Sequence, residues 1–278
     1  MLLEKMKREF CDNMKEERRW RKLQWMAVCL VCLLLVSLYQ NNKAVKLKNT
    51  IDGLMLQEAV SSKVQNVSER KKVYLTFDDG PSRYTEEILE ILRKENVKAT
   101  FFVIGYEGDI YAERYRKIVE EGHTLAMHAY DHDYKKIYKS VENFSHDLEK
   151  LQTLLEKETG VKPTIYRFPG GSSNSVVKPS VKQFIHYLNE KGITYYDWNA
   201  LSEDAMDKNL TPAQLNKNIM KDLPKKDPCI VLMHDLGDRH GTVDALEPLI
   251  KKLKAMNCEI LPITEATPAI QHVKNEEK

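Results

Sequence analysis

No charge of either sign dominates this chain. The 43 basic residues stand against 41 acidic ones, a formal net charge of +2, so no global attraction to nucleic acid is implied. Cysteine is scarce too, and five in 278 residues do not make a disulfide framework. Cys11 precedes a long apolar run, Cys29 and Cys32 fall inside it, and Cys229 and Cys258 each open an expected strand. The last two are read as free, buried thiols rather than a pair. Internal repeats and low-complexity tracts are absent. Residues 43–70 lack aromatics, and their apolar residues, Leu47, Ile51, Leu54, Val60, Val64 and Val67, are only loosely helical in spacing. Gly53 interrupts them, and clean heptads are too few for a coiled coil. That stretch reads as a stem, partly helical at best.

One long hydrophobic run is present. From Leu23 to Tyr39 the chain is apolar apart from Gln24 and Ser37, at the short end of what spans a bilayer. A cleavable signal peptide shares the basic start and apolar middle. However, the run is long for a signal core, and Tyr39-Gln40-Asn41-Asn42 offers no small-x-small cleavage site. Neither Cys29 nor Cys32 follows a small residue, as lipid attachment would need. An uncleaved single-pass anchor is expected. Residues 1–22 carry eight Lys and Arg, four of them (Arg18, Arg19, Arg21, Lys22) beside the run. The positive-inside rule then leaves the N-terminus in the cytoplasm and exports the chain beyond about residue 42.

From Lys71 onward strands and helices alternate. Expected strands are Val73–Phe77, Ala99–Val103, Thr124–Met127, Ile165–Phe168, Thr194–Asp197, Ile230–Met233 and Ile260–Ile263. Helices are expected over Tyr84–Glu95, Tyr111–Glu121, Val141–Thr159, Val181–Lys191, Pro212–Leu223 and Val243–Ala255. The alternation predicts an α/β fold, a distorted or incomplete (β/α) barrel of about seven parallel strands. An open doubly wound sheet is the competing architecture. In both, the C-terminal strand ends gather at one mouth. The expected layout is a cytoplasmic basic segment (1–22), an anchor helix (23–39), a stem (40–70), a catalytic domain (71–267) and a charged tail (268–278), frayed from His272 onward.

That rule gives the polar residues their meaning. Asp78 and Asp79 end the first strand, His128 ends the third with His132 four residues on, and Arg167, Trp198 and His234 end the fourth, fifth and sixth. Two imidazoles and one carboxylate make a three-ligand zinc site with a position left for water, and a second carboxylate beside it could act as a base. Asp-Asp-Gly-Pro alone is equally a turn sequence, and H-x3-H pairs arise by chance; it is their convergence that argues for chemistry. His123, His146, His186, His240 and His272 lack such a setting and read as structural or surface residues.

The segments Thr76-Phe77-Asp78-Asp79-Gly80-Pro81-Ser82, H-x3-H, Arg167-Phe168-Pro169-Gly170, Trp198 to Asp204, and Leu232-Met233-His234 occur in the order found in one family. The chain resembles polysaccharide deacetylases of the NodB-homology type (carbohydrate esterase family 4) over roughly Lys71 to Thr267. The resemblance implies Asp79, His128 and His132 as ligands of a divalent metal, zinc first, with cobalt, manganese or nickel as alternatives. It implies Asp78 as base, Arg167 as the group orienting it, and His234 as acid. Asp204 matches the family's partner for this histidine better than Asp197 does. Gly170, Gly171, Trp198 and Leu232 fall at the substrate. Four residues depart from the pattern: Ala129 replaces a Ser or Thr, Asp133 a Pro, Gly170 an aromatic and Ala205 a Trp. The expected function is metal-dependent removal of N-acetyl groups from cell-wall glycan, with peptidoglycan amino sugars preferred. Another acetylated polysaccharide (poly-N-acetylglucosamine, chitin oligomers or acetylxylan) and a non-catalytic glycan-binding module are the alternatives.

Overall fold

A computed structural model describes residues 2–68, 70–176 and 181–274, with side chains on the first helix described from Met14 to Glu58. The chain divides into two units, Met1–Glu69 and Arg70–Lys278. The side chain of Cys11, residue 69 of the stem and residues 275–278 of the tail lie outside the described residues.

The first unit is one helix, α1 (Leu2–Ser68). It does not break at Gly53, where the sequence suggested an interruption. A mid-helix glycine costs only about 1 kcal/mol relative to alanine, and a long flanking helix absorbs that. Between Met14 and Glu58 its leucines and valines are exposed, as in Leu33 at 68 % and Leu34 at 61 %. Met14–Glu58 is long and apolar enough to cross a membrane. At 1.5 Å per residue the 17-residue run itself spans roughly 26 Å, close to a hydrocarbon core of about 30 Å.

The second unit is built on parallel strands: β1 (Lys72–Asp78), β2 (Thr100–Ile104), β3 (Thr124–Ala129), β4 (Ile165–Tyr166), β5 (Thr194–Tyr195), β6 (Ala200–Leu201), β7 (Cys229–His234) and β8 (Glu259–Ile260). A seven-strand path runs β5-β4-β3-β2-β1-β7-β6, with β8 added beside β1. Every pairing is parallel. No pairing joins β5 to β6 among the described residues, so the barrel is incomplete. The short β6 was not anticipated, and β4 and β5 stop two residues before their expected ends. Arg167 and Trp198 therefore lie just beyond strands rather than on them.

Period-two alternation builds the two faces. On β1, Val73, Leu75 and Phe77 face the helices in the larger core cluster. Tyr74 faces the interior with Phe102, Ala126 and Ile230, and the same parity carries Thr76 and Asp78 inward. Counting by two from Ala126 reaches His128, and from Ile230 reaches Leu232 and His234. The register places Asp78 opposite both Phe102 and His234, so the strand ends meet at one level.

The outer helices are α2 (Thr85–Lys94), α3 (Asp109–Glu120), α5 (Val141–Thr159), α6 (Val181–Glu190), α7 (Pro212–Asp222) and α8 (Gly241–Ala255). A one-turn helix, α4 (Tyr134–Ile137), was not foreseen. Asp133 caps it, accepting from the Lys135 and Lys136 amides, which accounts for an acid where the family pattern has proline. Ser140 caps α5, and Gly160 ends it at φ 73°, a left-handed turn that suits glycine. Cys229 and Cys258 are both buried and free.

Candidate active site

Asp78 is 2 % exposed, and its Oδ1 accepts a hydrogen bond from Arg167 Nη1 at 2.7 Å. Arg167 is fully buried, so each of its donors needs a partner. Its Nη1 also donates to Thr76 Oγ1, Nε to the Tyr196 carbonyl and Nη2 to the Asp197 carbonyl. The guanidinium lies 3.9 Å from the Phe102 ring centroid. Burial pushes the Asp78 carboxyl up to about 6, against the downward pull of Arg167 and His234. Arg167, which the family resemblance gives as the group orienting Asp78, does reach its carboxylate. Desolvation outweighs that pull in part and leaves a stronger base that is still mostly charged at neutrality.

Asp79 turns away from β1 with φ 70° and His132 sits at φ 53°, a left-handed conformation that side chains seldom adopt. Asp79 Oδ1 is 3.1 Å from His132 Nε2 and 3.5 Å from His128 Nε2. His128 Nδ1 donates to the Arg167 carbonyl at 2.8 Å, which fixes the tautomer and aims the Nε2 lone pair at the same point. Burial and neighbouring His132 hold His128 well below its usual value, so it is neutral, as a ligand must be. Asp79 Oδ1 is buried without a hydrogen-bond partner, and the three candidate ligand atoms lie within 4.8 Å of one another. Ligands about 2.0–2.1 Å from a tetrahedral zinc stand roughly 3.3 Å apart. The donor set, its spacing and the orphaned oxygen all fit a divalent cation.

Across the cleft, His234 Nδ1 lies 2.7 Å from Asp204 Oδ1, and its amide donates to Asp204 Oδ2 at 2.8 Å. Thr242 Oγ1 donates to the same Oδ2. Burial disfavours the charged imidazole, but Asp204 outweighs it, with help from Asp78 and Asp79, and His234 is pushed up to about 9. Asp204 itself is held below the usual range; burial opposes this and the contacts to His234 override it. Asp197 serves elsewhere. Its carboxylate accepts from Ser172 N, Ser172 Oγ and His272 N.

Asp78, Asp79, His128, His132, Asp204 and His234 line one cleft of about 290 Å³, with Gly170, Trp198 and Leu232 on its walls. Gly171 is buried behind the wall rather than on it, and a Cβ there would come within 2.8 Å of the Trp198 ring. A Cβ at Gly170 would come within 2.9 Å of Tyr134. Tyr134, carried in by α4, thus fills the space an aromatic at position 170 would claim. Beside Ala205, Met206 is 77 % exposed and lines the other side. His272 and Val273, expected to fray, are held: His272 Nε2 meets the Trp198 carbonyl at 2.7 Å, and the Val273 amide donates to Ser172 Oγ.

A sequence model described as polysaccharide deacetylase matches residues 65–212. The chain belongs to the polysaccharide deacetylase family. It is 30 % identical over 250 residues to YheN of Bacillus subtilis (strain 168), whose own assignment as a polysaccharide deacetylase is provisional; the match covers 82 % of this chain and 85 % of YheN. It is 32 % identical to a peptidoglycan-N-acetylglucosamine deacetylase of Bacillus cereus, over 70 % of each chain. The crystal structure of the catalytic domain of peptidoglycan N-acetylglucosamine deacetylase from Eubacterium rectale superposes with a TM-score of 0.70 at 37 % identity, covering 74 % of this chain and 94 % of that one.

Three supporting acids or aromatics escaped the sequence reading. Asp147 on α5 accepts the Tyr130 and Asp131 amides at 2.8 and 3.0 Å, gripping the loop between the two histidines where Ala129 offers no hydroxyl. It shares the buried stripe of α5 with Phe144, Leu148, Leu151 and Leu155; an acid on that stripe was the signal. Asp235 accepts from Ser82 Oγ and Thr85 Oγ1 at 2.5 and 2.6 Å and steadies the turn after Asp79. Tyr134 gave no signal, because its placement depends on the one-turn helix.

Proposed function

We propose that the chain is a membrane-anchored, metal-dependent hydrolase that removes N-acetyl groups from peptidoglycan amino sugars. The observation that carries this reading is the cleft itself. In it, the orphaned Asp79 oxygen and the imidazoles of His128 and His132 lie beside a guanidinium-held acid and opposite a carboxylate-held histidine. Asp79, His128 and His132 would hold the cation, zinc first by donor set, with cobalt, manganese and nickel compatible. When bound, it would supply Lewis acidity to water and to the acetyl carbonyl.

Asp78, ionised at neutral pH yet buried, takes a proton from the attacking water. Arg167 keeps that carboxylate aimed into the cleft. The Gly170 amide makes no internal hydrogen bond among the described residues and is a candidate donor to the developing oxyanion. His234, charged through Asp204, gives its proton to the departing amine, which otherwise leaves poorly. Trp198 and Tyr134 offer faces to the sugar ring.

The relatives named for peptidoglycan support the substrate, and α1 supports the location: the basic flank of residues 1–22 inside, the domain of residues 71–267 outside. Acetate release by the detergent-solubilised chain, with zinc supplied, is the test. Release from peptidoglycan in preference to chitin oligomers and acetylxylan is expected. Full metal uptake with no acetate from any glycan would reduce the chain to a binding module.

A further inference from the structure

A second cleft, of about 400 Å³, adjoins the first and shares Asp79 with it. It lies between the turn after β1, the segment after β2 with the start of α3, and the turn after β7. Its chemistry differs from that of the catalytic cleft. Tyr106 and Tyr111 are stacked in it, ring centroids 4.7 Å apart with 22° between planes. Tyr106 is 40 % exposed and Ile110, beside it, 57 %. Arg114 projects from the next turn of α3, half-buried, its guanidinium 5.8 Å from the Tyr111 centroid. No ion pair or hydrogen bond engages Arg114 among the described residues.

The acids nearby are committed. Asp79 belongs to the metal triad. Asp235 is 1 % exposed, with both oxygens taken by Ser82 and Thr85. Glu113, the neighbour of Arg114 on α3, pairs with Lys117. Arg114 is thus a half-buried cation that forms no ion pair among the described residues, although the charge of buried Asp235 reaches it across the groove. It faces an open groove that begins at a metal-ligand residue. Guanidinium groups recognise carboxylates through paired N–H donors, and tyrosine faces accept the apolar face of a sugar ring.

We propose that this groove is a glycan subsite for a carboxylate-bearing sugar adjoining the one that is deacetylated. Arg114 binds the carboxylate, and the Tyr106–Tyr111 pair supports the ring. This rests on the deacetylase reading of the neighbouring cleft and narrows it. The substrate is an acidic polymer whose chain crosses the metal site, not a neutral homopolymer of amino sugar.

The experiment measures acetate release by the full chain in detergent. The substrates are alternating amino-sugar oligomers with free carboxylates and the same oligomers with those carboxylates methylamidated. A charge-assisted contact of this kind should favour the free acids by about tenfold in kcat/KM, carried by KM. Arg114→Gln should bring the ratio close to one, and Arg114→Lys should restore part of it. An equal rate on both oligomers in the unaltered chain, or an undiminished ratio in Arg114→Gln, overturns the proposal. If no oligomer yields acetate, the deacetylase reading fails separately. Calorimetric titration of the free-acid oligomer then decides the groove: weaker binding in Arg114→Gln upholds it, and equal binding overturns it.

Discussion

The main-chain carbonyl of Arg167 accepts the Nδ1 proton of His128 at 2.8 Å, while the guanidinium of the same residue grips Asp78 at 2.7 Å. One residue therefore sets the tautomer of a proposed metal ligand and the direction of the proposed base. Arg167→Lys keeps the carbonyl but loses the fork, so the two roles separate. It should retain metal and lose roughly ten- to a hundredfold in kcat, the worth of a charged hydrogen bond. Metal analysis alongside acetate kinetics checks this; equal loss of both would make Arg167 a purely structural residue.

Asp78→Asn leaves the ligand set untouched and removes the proton acceptor. Turnover should fall by about 10²–10⁴-fold with metal content unchanged. His128→Ala should lose both. A near-normal rate in Asp78→Asn would remove this residue from the role of base.

With His234 as the proposed acid, the alkaline limb of the pH profile should belong to it. Its acid form, held up to about 9 by Asp204 against burial, is the active one, so kcat/KM should decline as pH rises through that value. In Asp204→Asn burial acts with less opposition and the limb should move to the acid side of neutrality. The linkage to folding has the same sign. The pair stabilises the domain fully below the ordinary histidine value of 6.5 and ceases to as pH rises through about 9. Thermal melts of both proteins at pH 6 and pH 10 would show whether the difference between them shrinks at the alkaline end.

Asp147 touches no ligand side chain, yet it holds the amides of Tyr130 and Asp131 between the two histidines. Asp147→Ala should weaken zinc binding by about 10- to 100-fold, as for other groups that orient ligands. Activity should return when metal is raised. Competition with a chromophoric chelator measures the affinity without reference to turnover.

Much of this was legible in the residues. The alternation of strand and helix gave the parallel architecture, and the Asp-Asp pair, H-x3-H and the histidine ending β7 marked the groups that line one cleft. Parity along β1, β3 and β7 then obliged them to meet. What stayed hidden depended on contacts distant in sequence or on very short elements. Asp147 looked like one more charge on a polar helix until its place on the buried stripe was seen. The unbroken α1 overrode a glycine that local propensity alone marks as a break. Tyr134 and β6 sit on elements of four and two residues, too short to impose a period on a sequence.

The segment from Gln271 to Val273 backs the cleft wall at Trp198. His272 packs edge-on against Trp198, with ring centroids 5.0 Å apart, and its amide ties down Asp197, whose other oxygen holds the Ser172 turn. Trimming the chain before Gln271, or fusing a bulky tag close behind Val273, would slacken a tryptophan far away in sequence and dull glycan affinity without touching the reacting groups. Handles for purification or imaging belong at the opposite terminus.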